Sequence, residues 1–263
     1  MFRPIAALVL ITLASSAGVA QGTIAERVRA AGTRTVAFTT SARPEVCGDG
    51  IDVVSDGLGG EMRFYNEYYD GTTWTRRPCV HGALRVMLRV VDGIPSRVRV
   101  TAGSLPVLAD TVVDLGVVRA ADAGDYLWTL ARGDLGRVSE QALLPLLLVD
   151  SVPRWDILAS AARDTTRMLR YRRRASDLLA RGAASTLGVA GWSDDPAAVQ
   201  RRAVVDALAA RRNRDSDTVP DLLEIARANR HPDARAAAIH RLGQTADPRA
   251  IDLFATLLRL PGS

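Results

Sequence analysis

The residues of this chain that could do chemistry gather around one segment. Cys47-Gly48-Asp49-Gly50 is followed by Asp52 and Asp56, and Cys79 and His81 stand further along. Thiols, carboxylates and an imidazole can hold a metal ion, or supply a nucleophile and its base. The spacing argues against both uses. The other two histidines, His231 and His240, are nine residues apart, which does not put them on one helical face. Nothing near the cysteines supplies further ligands at metal-site spacing. The Asp/Gly loop is rich in oxygen, but it lacks the EF-hand spacing, and Asp and Gly suit tight turns. Ser41 and Ser55 sit in polar stretches as turn residues, and no Ser, His and acid grouping marks a nucleophile. No catalytic, cofactor-binding or metal-ligating residue is assigned, and the chain is not expected to be an enzyme. An enzyme with a site in the loop near Cys47, Asp49 and His81 stands as an alternative.

The cysteines have a simpler use if the chain is exported. Arg3, the apolar run Ile5 to Leu13 and the small residues up to Gly18-Val19-Ala20 resemble an export signal, with cleavage expected before Gln21. The run is too short for a permanent membrane span, although an uncleaved N-terminal anchor is the alternative. In an oxidising compartment, periplasmic or extracellular, a bridge between Cys47 and Cys79 is the default. It would contribute roughly 3–4 kcal/mol in the chain-entropy model. A reactive or metal-binding thiol pair is the other reading.

Charge is the second chemical feature. All 34 basic residues are arginine. Between 151 and 214 there are 13 arginines against 6 acidic side chains, a net of +7, whereas 110 to 150 carries a net of −4. Arg167, Arg170, Arg172, Arg173, Arg174 and Arg181 crowd one expected helix. They could be solvated faces and inter-helix ion pairs, or a positive groove for an acidic partner, with Arg167, Arg170, Arg173 and Arg174 as the candidate contacts. Nucleic acid is disfavoured, because aromatic residues do not interleave with the arginines.

Two kinds of element must position these residues. Ile24, Val28 and Ala31, followed by Gly32, predict a short helix. Val36 and Phe38 alternate as in a strand. The strongest β pattern is Ala83 to Thr101: Leu84, Val86, Leu88 and Val90 share one face, Arg85 and Arg89 the other, and Val98 and Val100 alternate with Arg97 and Arg99 beyond an Asp92-Gly93 turn. Residues 33 to about 108 are expected to form a mostly antiparallel module. From about 118 the period is helical, giving about eight helices up to 260. Asp195-Pro196 and Asp247-Pro248 mark helix starts, and Gly243 suits a helix stop.

The helical part repeats itself. Arg-x-x-small-x-x-x-Leu occurs as Arg172/Ala175/Leu179, Arg201/Val204/Leu208 and Arg235/Ala238/Leu242, with starts 29 and 34 residues apart. That period indicates stacked helical hairpins, with each Leu buried between helices and each Arg near a helix boundary. The second copy lacks a convincing first helix between Gly182 and Asp194.

On these residues the chain resembles HEAT-repeat proteins, in the variant called phycobilisome-lyase-like repeats. Val219-Pro220-Asp221-Leu222-Leu223, Ala234-Arg235-Ala236-Ala237-Ala238-Ile239, Leu242-Gly243-Gln244 and Asp247-Pro248-Arg249-Ala250-Ile251 follow that family's order. The family often places an Asp six residues before the repeating Arg, and here only Asp195 before Arg201 does so. Arg43-Pro44-Glu45-Val46-Cys47-Gly48-Asp49-Gly50, with a second cysteine at Cys79, is similar to a group of exported bacterial HEAT-repeat proteins. The resemblance implies a binding scaffold and no lyase activity.

The expected architecture is α+β: a signal peptide over 1–20, a small disulfide-stapled antiparallel β module with a short N-terminal helix over 21–108, and a HEAT-like α-solenoid over 118–260. The expected function is an exported, non-enzymatic scaffold for a protein or peptide partner, with an anionic polymer bound through the arginine-rich helices as the alternative. No cofactor is expected.

Overall fold

The computed structural model describes residues 22–50, 53–55, 62–64, 80–150, 152–187, 195–211 and 217–260. The expected signal peptide and cleavage site, and also Asp52, Asp56 and Cys79, lie outside the described residues.

Helix α1 (Ile24–Ala30) opens with a capping box, in which Thr23 Oγ1 accepts from the Glu26 amide and the Glu26 carboxylate accepts from the Thr23 amide. It leads into β1 (Thr35–Ser41), so Ser41 ends a strand rather than lying in a loop. Three short strands, β2 (Val46–Gly48), β3 (Val53–Ser55) and β4 (Met62–Phe64), join β5 (Val80–His81) in a small sheet of order β4-β3-β2-β5. The expected hairpin is β6 (Ala83–Val91) and β7 (Ile94–Ala102). Asp92 (φ 51°) and Gly93 (φ 77°) both take the left-handed conformation between them, which a two-residue turn between twisted strands requires. Thr33 pins that turn, exchanging 3.0 Å hydrogen bonds with Asp92.

The sheet extends beyond the expected boundary at 108. Strand β8 (Val112–Val117) pairs with β1 in parallel, giving the order β7-β6-β1-β8. The module is therefore mixed, and the expectation of an antiparallel one is corrected. A parallel partner needs a long crossover, and the intervening β2–β7 supply it. No local turn pattern announces such a pairing, and β8 buries only Leu115.

Among the described residues eight helices follow: α2 (Ala120–Arg132), α3 (Arg137–Leu148), α4 (Arg154–Arg163), α5 (Leu169–Ser185), α6 (Pro196–Ala210), α7 (Val219–Ala228), α8 (Pro232–Gly243) and α9 (Pro248–Leu257). Asp195 and Asp247 cap α6 and α9 as expected, each with proline at the start of the helix. The inner faces of β1, β6 and β7, which include Phe38, Leu88 and Val100, pack on α2 and α3 in one continuous core. Phe38 meets the Tyr126 ring edge-on at 6.3 Å. Each such fully buried side chain contributes about 1.5–3 kcal/mol. Arg43 ties the β region to the end of α3, since its guanidinium donates to the Leu147 and Val152 carbonyls and its amide to Leu148 O.

The helical stack departs from a simple sequential order. Helix α8 packs directly on α5, and α6 packs on α8 rather than between the two. Gly243 explains the close α5–α8 approach. A Cβ there would lie 2.5 Å from Ala180 Cβ and 3.2 Å from Asp177 Cα. Its expected role as a left-handed stop is corrected: Gly243 is the last residue of α8, with Gln244 as its right-handed cap.

Candidate functional site: an arginine-lined groove

The repeating residues fall on α5, α6 and α8. Leu179 and Leu242 are fully buried, as are Ala175 and Ala238. The second copy is out of register. Val204, in the small-residue place, is 64% exposed, and Val205 is buried instead. Leu208 is only half-buried against the core. The expectation of a buried leucine in every copy is thus corrected for α6, which buries only Ala198 and Val205. Its other face carries exposed Val199, Ala203, Val204 and Ala207.

The repeating arginines lie near the starts of their helices, Arg172 and Arg235 within the first turn of α5 and α8 and Arg201 in the second turn of α6. Arg201 joins two repeats: its Nε lies 2.8 Å from Asp233 at the start of α8, and a terminal nitrogen lies 3.8 Å from Asp195. Arg172 and Arg235 each hold a buried Nε without a hydrogen-bond partner among the described residues. Further ion pairs cross between helices, with Arg241–Asp206 at 2.7 Å and Arg163–Asp252 at 2.9 Å. The hydrogen bond from Arg241 holds the Asp206 carboxyl below the usual carboxylate range. His240, largely enclosed between α5 and α8, is held below the usual imidazole value by burial.

The four candidate contact arginines separate by role. Arg167 precedes α5 and is not on it. Its guanidinium caps α2, donating to the carbonyls of Arg132 (2.8 Å), Ala131 (3.3 Å) and Gly133 (2.6 Å), and it lies 4.6 Å from the Tyr171 ring centre. Carbonyls at a helix C-terminus are a natural seat for a cation, and that of Gly133 also accepts from Ser139 Oγ at 2.6 Å. Arg170 is exposed, 4.0 Å from Glu140 of α3. Arg173 is exposed on α5. Arg174 lies 3.3 Å from Asp177 and also lines a groove.

That groove, of about 300 Å³, runs between the edge strand β7 and α3, with Arg174 of α5 at one side. Arg97, Arg99, Arg137 and Arg174 line it, with Glu140, Gln141 and an apolar part made by Val98, Val100, Leu144 and Pro145. Gln141 Oε1 accepts from the Val98 amide at 3.0 Å, so a side chain occupies this edge position of β7. Sequence reading counted arginines only along the helices. The signal it passed over is the alternation in the hairpin, because pairing places Arg97 directly opposite Arg89 and Arg99 opposite Met87 on the face away from the core.

The segment around Cys47 is differently organised. Cys47 is fully buried in β2, in register with the exposed His81, and Asp49 bridges to the Gly103 backbone. Among the described residues no group of three His, Cys, Asp or Glu side chains could hold a metal ion.

No curated protein and no solved structure shows significant similarity to the chain. Residues 189–262 match the family model for HEAT repeats, a segment that holds α6 to α9 with the Arg201–Asp233 link inside it. HEAT repeats commonly serve as scaffolds for protein interaction, and their stacked helices present extended surfaces. The family match covers the last helices, α6 to α9, and identifies residues 189–262 as a segment of HEAT repeats.

Proposed function

We propose that the chain is a non-enzymatic scaffold that holds a protein or peptide partner, working outside the cytoplasm after removal of residues 1–20. The observation that carries this reading is the HEAT-repeat match over 189–262, laid on a packed array of helices. The uncovered apolar side of α6 adds support, with Val199 45% and Val204 64% exposed. Side chains of this kind in a row are where a partner gains most from excluding water. A photo-reactive residue at position 204, compared with one at exposed Ala121 on α2, tests it. A discrete adduct formed from 204 in the native cells supports the scaffold. Adducts that form instead around Asp49 and His81, and are lost when those residues are substituted, would move the site to the β2–β5 sheet and restore the enzymatic alternative.

The arginine-lined groove favours a second reading, in which the partner is an anionic polymer. Such binding weakens steeply with salt, so a titration across ionic strength separates the two.

A further inference from the structure

We propose that the tip of the β6–β7 hairpin docks the protein on an anionic lipid bilayer, with Val91 and Ile94 entering the headgroup region and Arg29, Arg34 and Arg89 meeting the lipid phosphates. Val91 and Ile94 stand opposite each other across the Asp92-Gly93 turn, and they are 41% and 57% exposed. Three exposed arginines lie around this pair. Arg89 is two residues before Val91 on β6. The Arg34 carbonyl accepts from the Val90 amide at 2.8 Å. The Arg29 side chain lies against the turn, because a Cβ on Gly93 would be 3.1 Å from its Cγ. The acids at this end of the sheet are Asp92, whose carboxylate accepts from Thr33, and Asp110, two residues before the Val112–Thr35 pair. With Arg97 opposite Arg89, arginine outnumbers acid here, and the charge complements an acidic surface.

Two further observations favour a bilayer over a protein as the occupant. A segment that leaves water for lipid must have its amides satisfied first. The turn meets that demand within the protein: the Asp92 amide donates to Thr33 Oγ1 at 3.0 Å and the Gly93 amide to the Gly32 carbonyl at 3.1 Å. Size is the second. A pair of side chains is far smaller than the roughly 800 Å² that each partner gives to a stable protein interface. Peripheral membrane contact needs only a shallow apolar insertion joined to attraction for acidic lipid. Arginine suits the rim of such a contact, since its stem can lie along apolar surface while the guanidinium reaches a phosphate as a bidentate donor.

The test is co-sedimentation of the mature protein with phosphatidylcholine vesicles, with and without phosphatidylglycerol. The protein should bind the acidic vesicles and leave the neutral ones. Arg34→Gln and Arg89→Gln should each weaken binding by about 5-fold, the order for one basic residue near an acidic membrane surface. Val91→Ser combined with Ile94→Ser should weaken it by about 10-fold, through the lost apolar insertion. The melting temperature should hold in all of these, because the groups changed are exposed. Ile94→Trp should add emission that brominated acyl chains quench. Val107→Trp should not; Val107 is 98% exposed and lies near the far end of β6, where Arg85 donates to the Pro106 carbonyl. No preference for acidic vesicles, unchanged binding in the variants, or a position 94 that brominated lipid leaves unquenched would each overturn the proposal. A photo-reactive residue at 94 that captures protein and no lipid in native cells would give the tip to a protein partner, and would overturn it as well. Position 204 on α6 is on a different element, so adduct formation there scores the scaffold separately from the hairpin tip.

Discussion

Leu242→Ala and Leu208→Ala occupy the same place in the repeat and should behave differently. The Leu242 side chain is fully enclosed. Truncation to alanine deletes about three carbon groups, or ~2.4 kcal/mol at about 0.8 kcal/mol each. The cavity left between α5, α7 and α8 adds about 1–2 kcal/mol, so the total is about 4 kcal/mol. Leu208 is half-buried on α6, a helix that buries only two side chains. Its truncation loses about half the transfer contribution and opens to solvent rather than leaving a void, for a total of about 1 kcal/mol. At about 2–4 °C per kcal/mol for a chain of this size, the melting temperature should fall by about 12 °C for Leu242→Ala and about 3 °C for Leu208→Ala. Thermal melts followed by circular dichroism, with urea titrations for the free energies, measure both. Equal losses in the two variants would refute the reasoning, because they would place α6 in register with α8.

Arg167→Ala should destabilise the fold by about 2 kcal/mol, from lost charge-assisted bonds to the α2 carbonyls and lost stacking on Tyr171; partner capture that falls while the melting temperature holds would show a contact role instead. The His240 ring is held neutral below its ordinary value by burial, so the unfolded chain takes up its proton first as pH falls. The native state should therefore lose stability from about pH 6.5 downward until the folded value is passed; proton NMR of the ring should show the low titration, and His240→Gln should flatten that part of the stability profile. Cys47 and Cys79 should resist alkylation under denaturing, non-reducing conditions, and the mature mass should begin at Gln21; a free thiol pair or a retained Met1 would count against export with a bridge.

Where short-range rules decide, the sequence was legible. The β6–β7 hairpin followed from strict alternation around Asp92-Gly93, and the helix starts at Pro196 and Pro248 from an acid before a proline. Each of these depends on neighbours within a few residues. The parallel pairing of β1 with β8 joins residues more than 70 apart, and nothing local encodes it. The offset of α6 escaped for a related reason. Val204 completes the pattern with Arg201 and Leu208, whereas a shift to Arg202 and Val205 puts Ala209 in the leucine place, so the pattern picked Val204 and only packing shows that Val205 is the buried one. The arginines show the same limit. Charge density along α5 drew attention to Arg167, whose surroundings are the end of α2, whereas the groove draws on β7, α3 and α5 together. A linear count of charge cannot see convergence from three elements.

The position of α8 has a consequence for how the array could be cut. In a linear solenoid each unit leans only on its neighbours, so a terminal unit can be trimmed or duplicated and the remainder persists. Here α8 is gripped by α5, α6, α7 and α9, and α9 reaches back to α4 and α5. Helices α8 and α9 thus close over the earlier helices α4 and α5. Removing them would strip the cover from α5 around Ser176, Asp177 and Ala180, so a chain lacking α8 and α9 should fail as a whole instead of losing one step.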